Sequence, residues 1–221
     1  MTEAPRLPYT DRQEAGEVLA QALQHLRGRA GLLVLALPRG GVPIGYEVAR
    51  ELGAPLDVLI VRKLGHPHHE EYAMGAIASG GIRVMNAEAE RYVKPADVER
   101  IVRREQAELE RRELQYRGDA PPLELSGRVV VLVDDGLATG STMRAAAQAL
   151  RAKEPARIVV AVPVASDEAC QDIGAEVDDI VCAATPEPFY GVGLWYADFS
   201  QTTDEEVRIL LARAQSDGKA A

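Results

Sequence analysis

Val129-Val-Val-Leu-Val-Asp-Asp-Gly-Leu-Ala-Thr-Gly-Ser-Thr142 is the stretch on which the reading of this chain turns. Five apolar residues, all but one of them β-branched, run straight into two carboxylates. A small, hydroxyl-rich loop follows and opens onto a helical pattern. A continuous apolar run of this length suits a strand covered on both faces, as strands of parallel sheets are.

Outward from it, the same alternation repeats. Strand-like runs stand at Leu32–Leu37, Asp57–Val61, Arg157–Pro163 and Val177–Ala183. Helical spacing occupies Asp11–Leu26, Val42–Leu52, Pro95–Tyr116, Ser141–Lys153 and Ser166–Ile173, with a closing helix at Asp204–Gln215 and six frayed residues after it. Gly75–Met85, centred on Gly80-Gly81, reads as a hairpin or bent strand. Strands alternating with helices predict an α/β fold: three layers, a mainly parallel twisted sheet with right-handed crossovers, one antiparallel edge strand and a small C-terminal hood. The expected organisation is a single domain: an extra N-terminal helix over 11–28, a core over 32–183, a hood over 184–203 and the closing helix.

Formal charge is −9 and there is no long basic run, which disfavours non-specific nucleic-acid binding. Arg103, Arg104, Arg111 and Arg112 of the long helix are interleaved with Glu105, Glu108, Glu110 and Glu113, so that face is expected to be solvated and ion-paired. No stretch approaches the roughly 18 apolar residues of a spanning helix, and Met1–Tyr9 has no apolar core; a soluble cytoplasmic protein without membrane contact is expected. Cys170 and Cys182 form no Cys-x-x-Cys pair, so reduced, buried thiols are expected.

In open parallel sheets ligands bind beyond the strand C-termini, where strand order reverses. Ala138, Thr139, Gly140, Ser141 and Thr142 offer backbone N–H groups and three hydroxyls at a helix N-terminus, a cradle for one phosphate. There is no Gly-Lys-Ser/Thr, so this is not a Walker loop. Ionised carboxylates only accept hydrogen bonds, and Asp134 and Asp135 therefore suit a vicinal diol. Phosphate on one side and diol on the other describe ribose 5-phosphate.

The quoted stretch resembles the 5-phosphoribosyl-1-pyrophosphate (PRPP) motif of type I phosphoribosyltransferases. The resemblance implies that Asp134 and Asp135 hold the ribose hydroxyls and, through water, Mg2+, with Asp135 catalytic, and that Ala138–Thr142 hold the 5′-phosphate. It places the first strand beside the Asp134 strand. Leu37-Pro-Arg-Gly-Gly-Val42 resembles the family's pyrophosphate loop, which implies anion contacts from Arg39, Gly40 and Gly41 and a cis Pro38–Arg39 peptide. Arg62 and Lys63 would meet the departing pyrophosphate, Lys63 as a catalytic residue, with Gly65–Met74 as a mobile lid. His66, His68 and His69, beside Glu70 and Glu71, lack the spacing of a helical zinc pair and are expected to form a solvated loop.

Pro186–Phe199 is loosely similar to the hood of purine enzymes, where Phe189 or Tyr190 would stack on the base; Trp195 and Phe199 suit core packing equally well. The implied partners are PRPP and a nucleobase-like acceptor, with release of pyrophosphate, and a homo-oligomer is allowed. A purine is favoured, but Ala138 and the lysine-free Ala161–Val164 disfavour a 6-oxopurine. A regulator that senses PRPP without turning it over is the alternative; Arg39-Gly40-Gly41 and Arg62-Lys63 count against it.

Overall fold

The computed structural model describes residues 5–67, 69–86 and 93–220; the side chains of 69–73 and 218–220 lie outside that description. His68 of the expected solvated loop therefore falls outside it, as do the side chains of His69, Glu70 and Glu71.

Asp11 starts the first helix by accepting the Glu14 N–H (2.9 Å). Helix α1 (Arg12–Ala22) runs on through a 3-10 turn at Gln24–Leu26 to β1 (Leu32–Ala36), α2 (Gly41–Leu52) and β2 (Leu56–Val58). Three antiparallel strands follow, β3 (Val61–His66), β4 (His69–Ala78) and β5 (Ile82–Met85), then the long helix α3 (Pro95–Arg117). The chain re-enters the main sheet with β6 (Val129–Val133), α4 (Ser141–Arg151), β7 (Arg157–Val164), α5 (Asp167–Gly174) and β8 (Asp179–Ala184). A 3-10 turn at Val192–Trp195 and helix α6 (Asp204–Ala220) complete it.

The main sheet is wholly parallel, in the order β2-β1-β6-β7-β8. Strand order reverses between β1 and β6, which pair in register from Leu32 opposite Val129 to Ala36 opposite Val133. The expected neighbours are neighbours. Residues alternate along each strand, so Val34, Ala36, Val131 and Val133 pack under α1, α2 and α6, while Leu33, Leu35, Val130 and Leu132 pack under α4 and α5. That two-sided burial is why these strands read as unbroken apolar runs.

The antiparallel part expected at the sheet edge is a three-stranded sheet of its own, β3-β4-β5. Asp57–Val61 does not form one strand: β2 ends at Val58 and Val61 already belongs to β3. Ser79 ties the base of this sheet down, its Oγ accepting from Ile60 N–H (3.0 Å). The segment 65–74, expected as a loop, is largely the paired arms of β3 and β4, with a register shift on either side of Gly65. The helix expected to end at Gln215 continues to Ala220, since no proline interrupts the pattern.

The cysteines are not free thiols. Cys170 on α5 and Cys182 on β8 are joined in a disulfide, their Cα atoms 6.6 Å apart, inside the reach of such a bond. Their proximity comes from α5 packing on β8, which spacing alone does not reveal. Among the described residues no helix is long and apolar enough to cross a membrane.

Candidate functional site

The C-terminal ends of β1 and β6 open onto one shared surface. After β1 the chain turns through Pro38–Gly41, and the Pro38–Arg39 peptide is cis, as the resemblance implies. The loop lies directly against the β6 end. A Cβ added to Gly40 would fall 2.0 Å from Asp135 Oδ2, so the carboxylate occupies the space of a side chain and only glycine leaves it room. The Arg39 guanidinium turns away toward Asp204 (3.7 Å).

After β6 come the two carboxylates. Asp134 Oδ1 accepts the N–H of Asp135 (2.9 Å). Burial, and then the neighbouring Asp135, push the Asp134 carboxyl well above the usual carboxylate range. Burial also raises Asp135, while Arg12 pulls it back toward ionisation. The loop beyond them is exposed at Ala138, Thr139, Ser141 and Thr142. Gly140 adopts the left-handed conformation (φ 68°) that brings the chain into α4, and no side chain caps that helix. The N–H groups of its first turn therefore face outward with no protein acceptor at the cap. Ser166 Oγ holds the loop from below by donating to Ala138 O (2.9 Å).

The three-stranded sheet leans over this surface. Lys63 reaches across to α4 and donates to Ser141 Oγ (2.8 Å), which joins the expected pyrophosphate cation to the expected phosphate loop. Successive residues of a strand face opposite ways. Arg62 accordingly turns to α3 and pairs with Glu105 (2.6 Å), a carboxylate buried to 5 % exposure. Between β3 and α3 lies a cleft of about 470 Å³ lined by Pro38, Arg62, Lys63, Arg100, Arg104 and Thr142, among others. Of the four α3 arginines expected to be ion-paired, Arg104 pairs with Glu105 and both Arg111 and Arg112 pair with Glu108. The cleft nonetheless carries more cations than anions on its walls.

On the other flank, Phe189 stacks on Trp195 (centroids 6.3 Å apart) and borders a cavity of about 720 Å³ with Glu187, Pro188, Ser166 and Asp167. Tyr190, the other candidate stacking ring, is 81 % exposed. Among the described residues no group of three or more His, Cys, Asp or Glu gathers in a metal-binding arrangement.

Sequence reasoning passed over three residues that meet here. Arg12 Nε and Nη2 both donate to Asp135 Oδ2 (3.1 and 2.9 Å). Tyr196 donates its hydroxyl to the Asp135 carbonyl (2.6 Å). Tyr9, fully buried, packs on Tyr196 and donates to Pro163 O (3.0 Å). Nothing in the local spacing of residues 9–12 points to position 135.

Comparison with known proteins shows the family to which the chain belongs. The family described as "Phosphoribosyl transferase domain" matches residues 10–184. A Mycobacterium tuberculosis protein that carries the name "Putative phosphoribosyl transferase" in two strains is 45 % identical over 211 residues, covering 95 % of this chain and 47 % of its own length. The chain thus spans about half the length of these curated relatives. A bifunctional protein PyrR of Chloroflexus aurantiacus is 34 % identical over 134 residues, covering 56 % of this chain and 65 % of its own. The crystal structure of TT1426 from Thermus thermophilus is 44 % identical with a TM-score of 0.86, over 94 % of this chain and 99 % of that one.

Proposed function

Because the chain belongs to the phosphoribosyl transferase family, a class of pentosyl-transferring enzymes, we propose that it binds PRPP across the β1 and β6 ends and transfers phosphoribosyl to a nucleobase-like acceptor, acting as one unit. The observation that carries this reading is the contact of two loops: the Asp135 carboxylate sits in the side-chain space of Gly40. A diol reader and an amide-rich anion loop are therefore contiguous, and the phosphate cradle of Ala138–Thr142 follows directly in sequence. PRPP presents diol, pyrophosphate and 5′-phosphate in that proximity.

In this reading Ala138–Thr142 and the uncapped first turn of α4 hold the 5′-phosphate, and Asp134 and Asp135 accept from the ribose hydroxyls. Gly40 offers its N–H group to the pyrophosphate, while the expected donor Gly41 already gives its N–H to Leu37 O (3.1 Å). Lys63, already bridging toward Ser141, neutralises charge that grows as the C1–oxygen bond lengthens. The protein's task is orientation, since the ribose carbon becomes electrophilic by losing its leaving group. The acceptor lies on the Phe189 side, and a purine without a 6-oxo group is favoured. The β3–β4 hairpin closes over the reaction and excludes water.

The residues fit a magnesium ion. The charged forms of both carboxylates are disfavoured by burial and that of Asp134 also by the neighbouring Asp135, and a divalent cation relieves both effects. With only two protein carboxylates, the remaining coordination falls to substrate oxygens and water, as is usual for this ion. Bound there, it would supply charge neutralisation to the departing pyrophosphate.

The test is pyrophosphate release from PRPP and magnesium across a panel of purines and pyrimidines, with Asp135→Asn as the control. Asp135-dependent release with at least one base supports transfer. PRPP binding with no release by any base supports the regulator instead. Failure to bind PRPP sinks both.

A further inference from the structure

Resting on that reading of the site, we propose that Arg12 is a positioning residue of the ribose subsite, by which the N-terminal helix becomes part of PRPP recognition. All three guanidinium nitrogens are engaged. Nε and Nη2 converge on Asp135 Oδ2, and Nη1 donates to Ser200 O (2.7 Å). The guanidinium carbon lies 4.0 Å from the centre of the Phe199 ring and 5.9 Å from that of Tyr196. The side chain is 11 % exposed and that of Asp135 is 18 % exposed. A planar fork stacked on a ring and pinned at three nitrogens loses little further freedom when it aims a carboxylate.

The consequence for the site is specific. Both donors fall on one oxygen, so Oδ2 is taken and Oδ1 is the oxygen left to accept from a ribose hydroxyl. The carboxylate also fills the side-chain space of Gly40, where an added Cβ would fall 2.0 Å from Oδ2. Three separated segments meet to produce this. Tyr9 N–H donates to Trp195 O, Ala197 N–H to Tyr9 O and Asp198 N–H to Thr10 O, so residues 9–10 are laced along 195–198 just before α1 begins. That lacing places Arg12, the first helical residue, over the end of β6. Tyr196 completes it from the hood by donating to the Asp135 carbonyl.

The experiment compares wild type, Arg12→Gln and Arg12→Lys, with two probes and a melting temperature for each protein. PRPP with magnesium reads the diol site, and inorganic phosphate reads the Ala138–Thr142 loop, which Arg12 does not touch. Arg12→Gln is expected to weaken PRPP binding about tenfold or more and to leave phosphate binding within about twofold. Arg12→Lys, keeping charge but not the fork, is expected to recover part of the loss. If wild type binds PRPP and Arg12→Gln binds it equally well, the inference is overturned while the function stands. If Arg12→Gln loses both probes alike, or Arg12→Lys recovers nothing, Arg12 only holds the hood to the core and the inference is likewise overturned. If wild type binds phosphate but no PRPP, the reading of the site falls, and this inference with it.

Discussion

Ala138–Thr142 and the Arg12 contact both lie at the C-terminal end of β6, yet they are built in opposite ways. The loop takes its donors from five consecutive residues and from the backbone at a helix start. The Asp135 carboxylate is held instead by a guanidinium 123 positions away, under a ring from a third segment. A site made of local backbone tolerates most side-chain changes and fails where backbone geometry is forced. One assembled from distant side chains depends on every segment that brings them together.

Four substitutions sharpen or break that contrast, in falling order of effect. Lys63→Ala should cut turnover by roughly 10²-fold or more while PRPP affinity falls less, because its charge matters most as pyrophosphate departs. Steady-state rates and PRPP titration would show it, and an unchanged rate would remove Lys63 from the mechanism. Gly40→Ala puts a methyl group into the Asp135 carboxylate, which Arg12 prevents from moving. A loss of about 1–3 kcal/mol in stability or the equivalent in PRPP affinity is expected, read by denaturant titration and calorimetry. Full retention of both would mean that the two loops do not press on each other.

Gly140→Ala tests the local design. A left-handed residue with a Cβ costs about 1–2 kcal/mol, and Ile173 stands 3.0 Å from the new atom. Urea unfolding should show the loss, and phosphate binding should fall with it. The smallest effect belongs to the assembled side. Tyr9→Phe leaves Pro163 O without its donor, at about 1 kcal/mol at neutral pH. Burial first, and Glu14 second, push the Tyr9 hydroxyl up to about 12, above an unfolded value of about 10. Its contribution is therefore complete below about pH 10 and is lost as pH rises toward 12. Melting temperatures should converge between wild type and Tyr9→Phe over that window; parallel curves would show that Tyr9 does not titrate there.

Much of the site was legible because it is local. Val129–Thr142 carries strand, carboxylates and cradle without a break, and the apolar runs of β1, β6 and β7 announce a sheet covered on both faces. Less legible were features that depend on how one element lies on another. The split of Asp57–Val61 between two sheets was hidden because a short apolar run looks the same in either. The paired arms of the 65–74 segment were hidden by glycine, proline and histidines that read as a loop. The Cys170–Cys182 bond, the turn of Arg62 toward Glu105 and the convergence of Tyr9, Arg12 and Tyr196 have no local signature at all.

Backbone periodicity and the chemistry of consecutive residues are properties of a short window, so the sequence by itself determined the α/β alternation and the run of strand, paired carboxylates and hydroxyl-rich helix start over Val129–Thr142. Which oxygen of Asp135 is taken by Arg12, which cation crosses to Ser141 and which helix closes over Asp135 were decided only by tertiary packing. Those outcomes depend on angstrom-scale distances between segments separated by up to 188 residues, set by the register of β1 against β6 and by the lacing of residues 9–10 along the hood.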